Sequence, residues 1–390
     1  MELDFFMVDV TVGIKVFISP SDEQKELFHK NFGCSRKAYN ELLSKYNKLY
    51  KKDNTIKPTY PFLSKLLKEI KNELPYLEDV ESTSLQQSAR DLATGFSNFF
   101  KNPKHFNRPG FHSKRKTRLS FRQTIPSNKK IINDNILTLR VYGDVEFKTS
   151  QKYIELLNKN NIKLNNITIT FDGLNYYAII NLDTTKELWN LTEESLGCDI
   201  NSNRNGWLVT SEGIKEHFNV DHENQMIRKI NRLMSRCKKG SRKWKKLHKR
   251  LLKWYHKRTH KLEDYINKLV KNLVMDYDTI VFEKNYADIK ILIGGEQNLI
   301  FPLSRFIENL KTKYAWHKPD AEGVVFVDGY NTSKTCHHCG FVNKNLDVKT
   351  RKWICPECVI LLDRDVNAAI NILNLWFTGD SLRNTNKSVD

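Results

Sequence analysis

Residues 335–372 read TCHHCGFVNKNLDVKTRKWICPECVILLDRDVNAAINI. Cys336, Cys339, Cys355 and Cys358 stand in two C-x2-C pairs separated by fifteen residues, the spacing at which two knuckles close one tetrahedral site on zinc. Four thiolates fill that coordination shell, so the metal would be structural and would offer a substrate no open position. His337 and His338 read as exposed bystanders. Immediately downstream, Asp363-Arg364-Asp365 leads a helix-like run in which Val366, Ala369, Ile370, Leu373 and Leu375 keep helical spacing. A metal knuckle therefore sits beside a candidate catalytic carboxylate.

Moving upstream, GVVFVD (residues 323–328) is a short apolar strand, and Phe301 to Tyr314 is periodic enough for a helix. TIVF (279–282) is a buried-strand pattern that ends in Glu283, and the carboxyl end of a core strand is where α/β sheets place active-site groups. Further back, LGCDI, WLVTS and IKEHFNV read as three antiparallel strands, with Asp199 in the first. An ionised Asp among apolar neighbours is costly unless a cation or donors satisfy it. A structural salt bridge is the plain alternative for Asp199 on its own. If Asp199, Glu283 and Asp365 meet, two such charges about 4 Å apart repel by about 4 kcal/mol at an effective dielectric of 20. Bound divalent cations would offset that repulsion, and hard oxygen ligands select magnesium or manganese.

The chain has 390 residues, with 64 Lys plus Arg against 45 Asp plus Glu, a formal charge of +19 and a pI near 9.4. That length implies two or more domains, and that charge implies a polyanionic partner, nucleic acid before membrane. Apolar runs are strand-sized, far short of the roughly 20 residues a membrane helix needs. With no signal-peptide pattern, the expectation is a soluble, intracellular protein. Cys34, Cys198 and Cys237 lie outside the paired motifs and read as buried free thiols, which argues against a secreted disulfide framework.

The cationic excess is clustered. Arg228 to Lys261 holds sixteen Lys or Arg and no acid, while Trp244, Leu247, Leu251 and Trp254 or Tyr255 keep helical spacing. This predicts a helix with a packed stripe and a cationic face, with Arg242, Lys243, Lys246 and Arg250 as nucleic-acid contacts; a solvated helix would mix signs through i,i+4 pairs. Asn102 to Gln123 interleaves Lys114, Arg115, Arg118 and Arg122 with Phe106, Phe111 and Phe121. Cations for phosphates mixed with rings for bases suit a segment tracking nucleic acid, whereas the bland reading is a solvated basic loop.

In the amino-terminal half, Val8 to Ser19 alternates as a strand and Pro20-Ser21-Asp22 starts a helix over 22–51, with Gly33 its candidate break. SLQQSARDLATGFSNFF carries one apolar stripe of Leu85, Ala89, Leu92, Phe96 and Phe99, which reads as core packing. Residues 131–182 read as strands with a hairpin at Asp172-Gly173. Together with the first strand they predict a small β-barrel with the helical block inserted. No internal repeat stands out, and the tail from 378 to 390 is assigned no structure.

The order of Asp199, Glu283 and Asp365 is the one seen in RuvC-like, RNase H-fold nucleases. The cysteine frame followed by DRDVNAAINI resembles the carboxyl end of the TnpB nucleases, transposon-encoded relatives of the type V CRISPR effectors. SPSDEQKELFHKNFGCSRKAYN, GFHSKRKTRLSFRQ, GCDI and VFEKN match as well, in the family's order. The resemblance implies a multidomain α/β chain: a wedge β-barrel in two parts (1–20 and 116–190), an inserted helical recognition domain (21–115), and a RuvC-like nuclease domain (191–390) with a zinc ribbon at 330–362. It implies an RNA-guided DNA endonuclease with a guide RNA from the transposon end, a double-stranded DNA target beside a short flanking motif, structural Zn2+ and catalytic Mg2+. Asp199, Glu283 and Asp365 would be the metal-binding catalytic residues; Asp365 is taken over Asp363 because the family's D-x-N-A pattern falls on Asp365-Val366-Asn367-Ala368. The chain departs from the pattern at Asn201 and Val359, where the family usually has Gly, and at Leu362, where it usually has His or Thr. A guided DNA-binding repressor without cleavage, a type V CRISPR effector, and a structural zinc-ribbon protein of a nucleoprotein particle are the other readings. Monomer and dimer are both compatible with the sequence.

Overall fold

The computed structural model describes residues 7–114, 119–125, 131–159, 162–201, 205–284, 302–347 and 350–379. The chain divides into two units, Asp9 to Thr185 and Lys186 onward, the latter together with the first eight residues.

In the first unit, β1 (Met7–Ser19) buries Val10, Val12, Ile14, Val16 and Ile18, the period of two that one covered sheet face imposes. Ser21 then caps α1 (Asp22–Lys52) in a reciprocal box: Gln24 N–H donates to Ser21 Oγ at 3.2 Å and Ser21 N–H to Gln24 Oε1 at 2.9 Å. α1 continues unbroken through Gly33, the candidate break point. α2 (Tyr60–Glu73) and α3 (Ser82–Lys101) fold against it around Leu42, Leu43, Tyr46, Leu63, Ile70 and Phe96. Of the stripe on α3, Leu85, Ala89, Leu92 and Phe96 are buried in that core.

β2 (Leu119–Thr124), β3 (Ile132–Asn133), β4 (Ile136–Leu139), β5 (Gly143–Lys148), β6 (Lys163–Phe171) and β7 (Tyr176–Glu187) join β1 in one sheet of order β2-β6-β7-β1-β5-β4-β3, with α4 (Gln151–Asn158) between β5 and β6. At the β6–β7 turn Asp172 Oδ1 accepts from Leu174 N–H and Asn175 N–H, both at 2.9 Å. The expected barrel is not found closed: β2 and β3 lie at opposite edges, with no pairing between them among the described residues. Closure needs a ladder of backbone bonds along both edges, and β3 is only two residues long.

The second unit is built on β8 (Ser195–Ile200), β9 (Asn205–Thr210) and β10 (Lys215–His217), which are antiparallel. The helical hairpin of α5 (Asp221–Ser235) and α6 (Arg242–Asp276) follows. Next come β11 (Thr279–Glu283), α7 (Leu303–His317) and β12 (Gly323–Val327), with β11 parallel to both β8 and β12. The sheet order is β10-β9-β8-β11-β12. β13 (Lys352–Ile354) and β14 (Leu361–Asp363) form a small hairpin, and α8 (Arg364–Thr378) closes the described chain.

Alternation along the strands divides the faces of this sheet. Leu196, Cys198, Ile280 and Phe282 pack with Ile266 and Val270 of α6 and Phe306 and Leu310 of α7. Gly197 points the other way, onto α8: a Cβ there would lie 2.2 Å from Ala369 O and 2.7 Å from Leu373 Cβ. Glycine is thus required for the helix to sit directly on β8. At the opposite strand ends Lys318, 2% exposed, donates to Asp278 Oδ1 at 2.7 Å, while Asp278 Oδ2 accepts from Thr192 N–H and Glu193 N–H at 2.8 and 2.7 Å. Among the described residues no helix is long and apolar enough to cross a membrane.

Candidate active site

Asp199 is the residue after Cys198 in β8 and Glu283 the residue after Phe282 in β11, and Cys198 and Phe282 are register partners. The two carboxylates therefore leave neighbouring parallel strands at the same level. By alternation with Gly197 they face the side that α8 covers. α8 brings the third: Asp365 lies in its first turn, with the side chain 9% exposed. Burial first, then the charges of Asp365 and Glu283, push the Asp199 carboxyl up to about 7 from its ordinary 3.8, against a hydrogen bond from Asn201 and the charge of Arg364. Three acids from three elements thus share one electrostatic environment.

Each has its own support. Asn201 Nδ2 donates to Asp199 Oδ2 at 3.0 Å, and Asn201 N–H donates to Trp207 O at 2.8 Å. The side chain at this departure from the family pattern therefore steadies the carboxylate. Glu283 lies against Gly329, where a Cβ would come within 2.7 Å of Glu283 Cδ, and Thr332 Oγ1 reaches Glu283 Oε2 at 3.4 Å. Arg351 Nη1 donates to both oxygens of Asp365 at 3.1 Å. Sequence reasoning missed Arg351, Gly329 and Thr332, because none of them stands in a pattern and each matters only through a contact across the fold.

Asp363 has a different task. Its Oδ1 accepts from Asp365 N–H and Val366 N–H at 3.2 and 3.3 Å, capping α8, and its Oδ2 accepts from Lys215 Nζ at 2.6 Å. Burial alone would raise its pKa, but Lys215 and those backbone donors hold the Asp363 carboxyl below the usual range. Of the two aspartates, Asp365 is the one whose charge stands among the main causes that raise the Asp199 carboxyl.

The four cysteines meet at one point. Cys336 Sγ lies 3.7 Å from Cys358 Sγ and Cys339 Sγ 3.5 Å from Cys355 Sγ, close to the roughly 3.8 Å edge of a tetrahedron with metal–sulfur bonds of about 2.3 Å. The knuckles are matching turns: Gly340 N–H donates to Cys336 O and Val359 N–H to Cys355 O, both at 2.9 Å. The donor set fits a tetrahedral thiolate metal. Leu362, another departure, is 2% exposed and packs in the ribbon core with Trp353 and Leu346. Among the described residues only the cysteines gather their ligand atoms within 4.8 Å of one another.

The ribbon and the acidic cluster are joined through α8. Asn367 Nδ2 donates to Thr335 O at 2.7 Å and Asn371 Nδ2 to Thr332 O and Thr335 O, both at 2.7 Å; Asn367 Oδ1 accepts from His337 N–H at 2.9 Å. His337, half-buried and not the exposed bystander expected, is thus tied to the helix through its backbone and through its ring, whose Nδ1 lies 3.0 Å from Asn367 Oδ1.

The basic candidates divide. Arg242, Lys246 and Arg250 lie at i, i+4 and i+8 on α6, exposed, with Lys243 exposed beside them. The stripe beneath them packs on α5, with Leu247 and Leu251 against Ile227 and Ile230. One local counter-charge does exist: buried Glu223 of α5 faces Lys257 and Lys261 at 3.8 and 3.6 Å. In the first unit Lys114 is exposed and Arg122 is ion-paired with Asp91. Arg115 and Arg118 lie outside the described residues.

Comparison with known proteins finds three family models along the chain: a helix-turn-helix domain over residues 7–55, a probable transposase over 182–288, and a Cas12f1-like TNB domain over 304–372. Within the first of these spans the fold has a strand and one continuous helix, not two helices and a turn. A "Putative RNA-guided DNA endonuclease" of Streptomyces pristinaespiralis is 28% identical over 94% of this chain and 90% of its own length. The Escherichia coli K12 "Putative RNA-guided DNA endonuclease InsQ" is 25% identical over 93% of this chain and 91% of its own. Among solved structures, a Cas12f1–sgRNA–target DNA complex shares the fold, with a TM-score of 0.55 at 16% identity over 90% of this chain and 83% of that one.

Proposed function

The chain belongs to the TnpB family, and from that premise we propose that it is an RNA-guided DNA endonuclease hydrolysing target phosphodiesters at Asp199, Glu283 and Asp365. The observation that carries this reading is the convergence of three carboxylates, far apart in sequence, on the α8 side of one sheet. A sheet of three antiparallel strands followed by two parallel ones is what a RuvC-like nuclease core calls for. Two divalent cations held there, magnesium or manganese by the oxygen donor set, would activate a water and stabilise the leaving oxygen.

The protein's own residues set the geometry. Asn201 fixes one oxygen of Asp199, Arg351 holds Asp365, and the Asp363 cap orients the first turn of α8. Zinc in the four-cysteine site would keep the ribbon folded against that helix. Base pairing with a guide supplies sequence specificity, so the protein needs cations more than base readers. The stripe of Arg242, Lys246 and Arg250, with Lys243 beside it, fits that need, as do Lys114 and its neighbours Arg115 and Arg118. In this reading the guide comes from the transposon end, and the target DNA carries a short flanking motif. The departures at Asn201, Val359 and Leu362 leave every carboxylate in place, which favours cleavage over guided binding alone.

Protein purified with its co-expressed RNA should cut matched DNA in magnesium. Asp199→Ala should stop cutting while leaving binding intact. Cutting that survives Asp199→Ala would exclude the mechanism.

A further inference from the structure

Tyr330 has no part in the chemistry above, yet it stands on the rim of the carboxylate cluster. It follows Gly329 in the loop between β12 and the ribbon, is 56% exposed, and makes no hydrogen bond or ring contact with the described residues. Its backbone is firmly held. The close approach of Gly329 to Glu283, 2.7 Å from a built Cβ to Cδ, puts the Tyr330 Cα no more than about 8 Å from the Glu283 carboxyl carbon. Before it, Asp328 pairs with Lys284 at 2.8 Å. After it, Asn331 O accepts from Lys334 N–H and Thr335 N–H at 2.8 and 2.9 Å, and the carbonyls of Thr332 and Thr335 are bonded to α8. An aromatic ring on a mobile loop is common. One exposed on a loop fixed at both ends, beside Glu283, is placed to meet something.

We propose that Tyr330 is a substrate-contacting residue that stacks on a nucleobase of the single DNA strand lying across the carboxylates, next to the phosphate to be cut. The inference rests on the nuclease reading and adds to it a contact with the base where the acids deal only with the phosphate. A strand with one phosphate at Asp199, Glu283 and Asp365 carries its adjacent base within reach of a ring anchored at this distance. Every base has a π face, so the contact would be tolerant of sequence. It would set where the strand lies, not which strand is accepted.

The test uses the full chain with its co-expressed RNA and a matched target bearing 2-aminopurine at successive positions of the cut strand, with calcium replacing magnesium so that the strand stays whole. Stacking should quench the probe at one position in wild type and in Tyr330→Phe, and the quench should be absent in Tyr330→Ala. In magnesium, Tyr330→Ala should cut about tenfold more slowly at subsaturating DNA, with its melting temperature unchanged, and Tyr330→Phe should cut normally. Equal quenching and equal cutting in Tyr330→Ala and wild type overturn the proposal, as does a quench seen only when the probe is in the RNA. A wild-type complex that cuts nothing refutes the nuclease reading instead, and the calcium measurement still decides the ring contact.

Discussion

Val359 holds a left-handed backbone, φ 58°, at the place where the first knuckle has Gly340 at φ 80°. A β-branched side chain is strained there by about 1–2 kcal/mol, and this one is 75% exposed, so removing it forfeits little burial. Val359→Gly should therefore raise stability by about 1 kcal/mol, seen as a higher denaturant midpoint for the zinc-loaded protein; an unchanged or lower midpoint would contradict the strain. Asp199 responds to pH instead. Its folded carboxyl titrates at about 7 against an ordinary 3.8, so between those values the native state keeps a proton that the unfolded chain has released. The stability tied to this group is fully present below the lower value and lost as pH rises through the higher one. In magnesium-free buffer, wild type should lose up to about 4 kcal/mol relative to Asp199→Asn from pH 4 to 8. Two parallel stability profiles would show that neither burial nor the neighbouring acids raise this carboxyl.

Two contacts decide whether α8 delivers Asp365. The first is Gly197, whose missing Cβ leaves room for Ala369 O and Leu373. Gly197→Ala forces backbone apart in a packed interface and should cost about 3 kcal/mol or more, with cutting lost even where the chain still folds; near-normal stability would mean that the helix can slide. The second is the staple from Asn367 and Asn371 to the ribbon carbonyls. Chelating zinc, or Cys336→Ser, should speed amide exchange through residues 350–372 and slow cutting while leaving all three carboxylates in the chain. Unchanged exchange in α8 would uncouple ribbon from site. The cysteine frame was legible in sequence because its meaning is local, two turns at fixed spacing. Asp199 and Glu283 were legible as acids at the ends of apolar strands. Arg351, Gly329 and Thr332 were not, since a lone Arg, Gly or Thr acquires a role only when the chain returns to meet it.

Across the whole chain the alternation and helical periodicity of the sequence carried the sheet and helix elements, whereas closure of the first sheet depended on how long its edge strands are, which composition does not encode. Charge was legible in amount but not in pairing: the run from Arg228 to Lys261 contains no acid, yet Glu223 just before it is buried against Lys257 and Lys261. That contrast separates cations held for folding from cations open to a partner. Lys257 and Lys261 should behave mainly as partners of a buried carboxylate, and their removal leaves Glu223 uncompensated and lowers stability. Arg242, Lys246 and Arg250 are exposed on one face, with no ion pair among the described residues, so their removal should leave the fold intact and weaken nucleic-acid binding. Each phosphate that the protein no longer neutralises lowers the slope of log K against log salt by roughly 0.7 to 0.9, so the triple Ala variant should show a slope smaller by about 2 to 3 with an unchanged melting temperature. Lys257→Ala should show the converse, a lower melting temperature with the slope nearly preserved. If the triple variant keeps the full slope, this face is only solvated, and the polyanion must be gripped elsewhere on the chain.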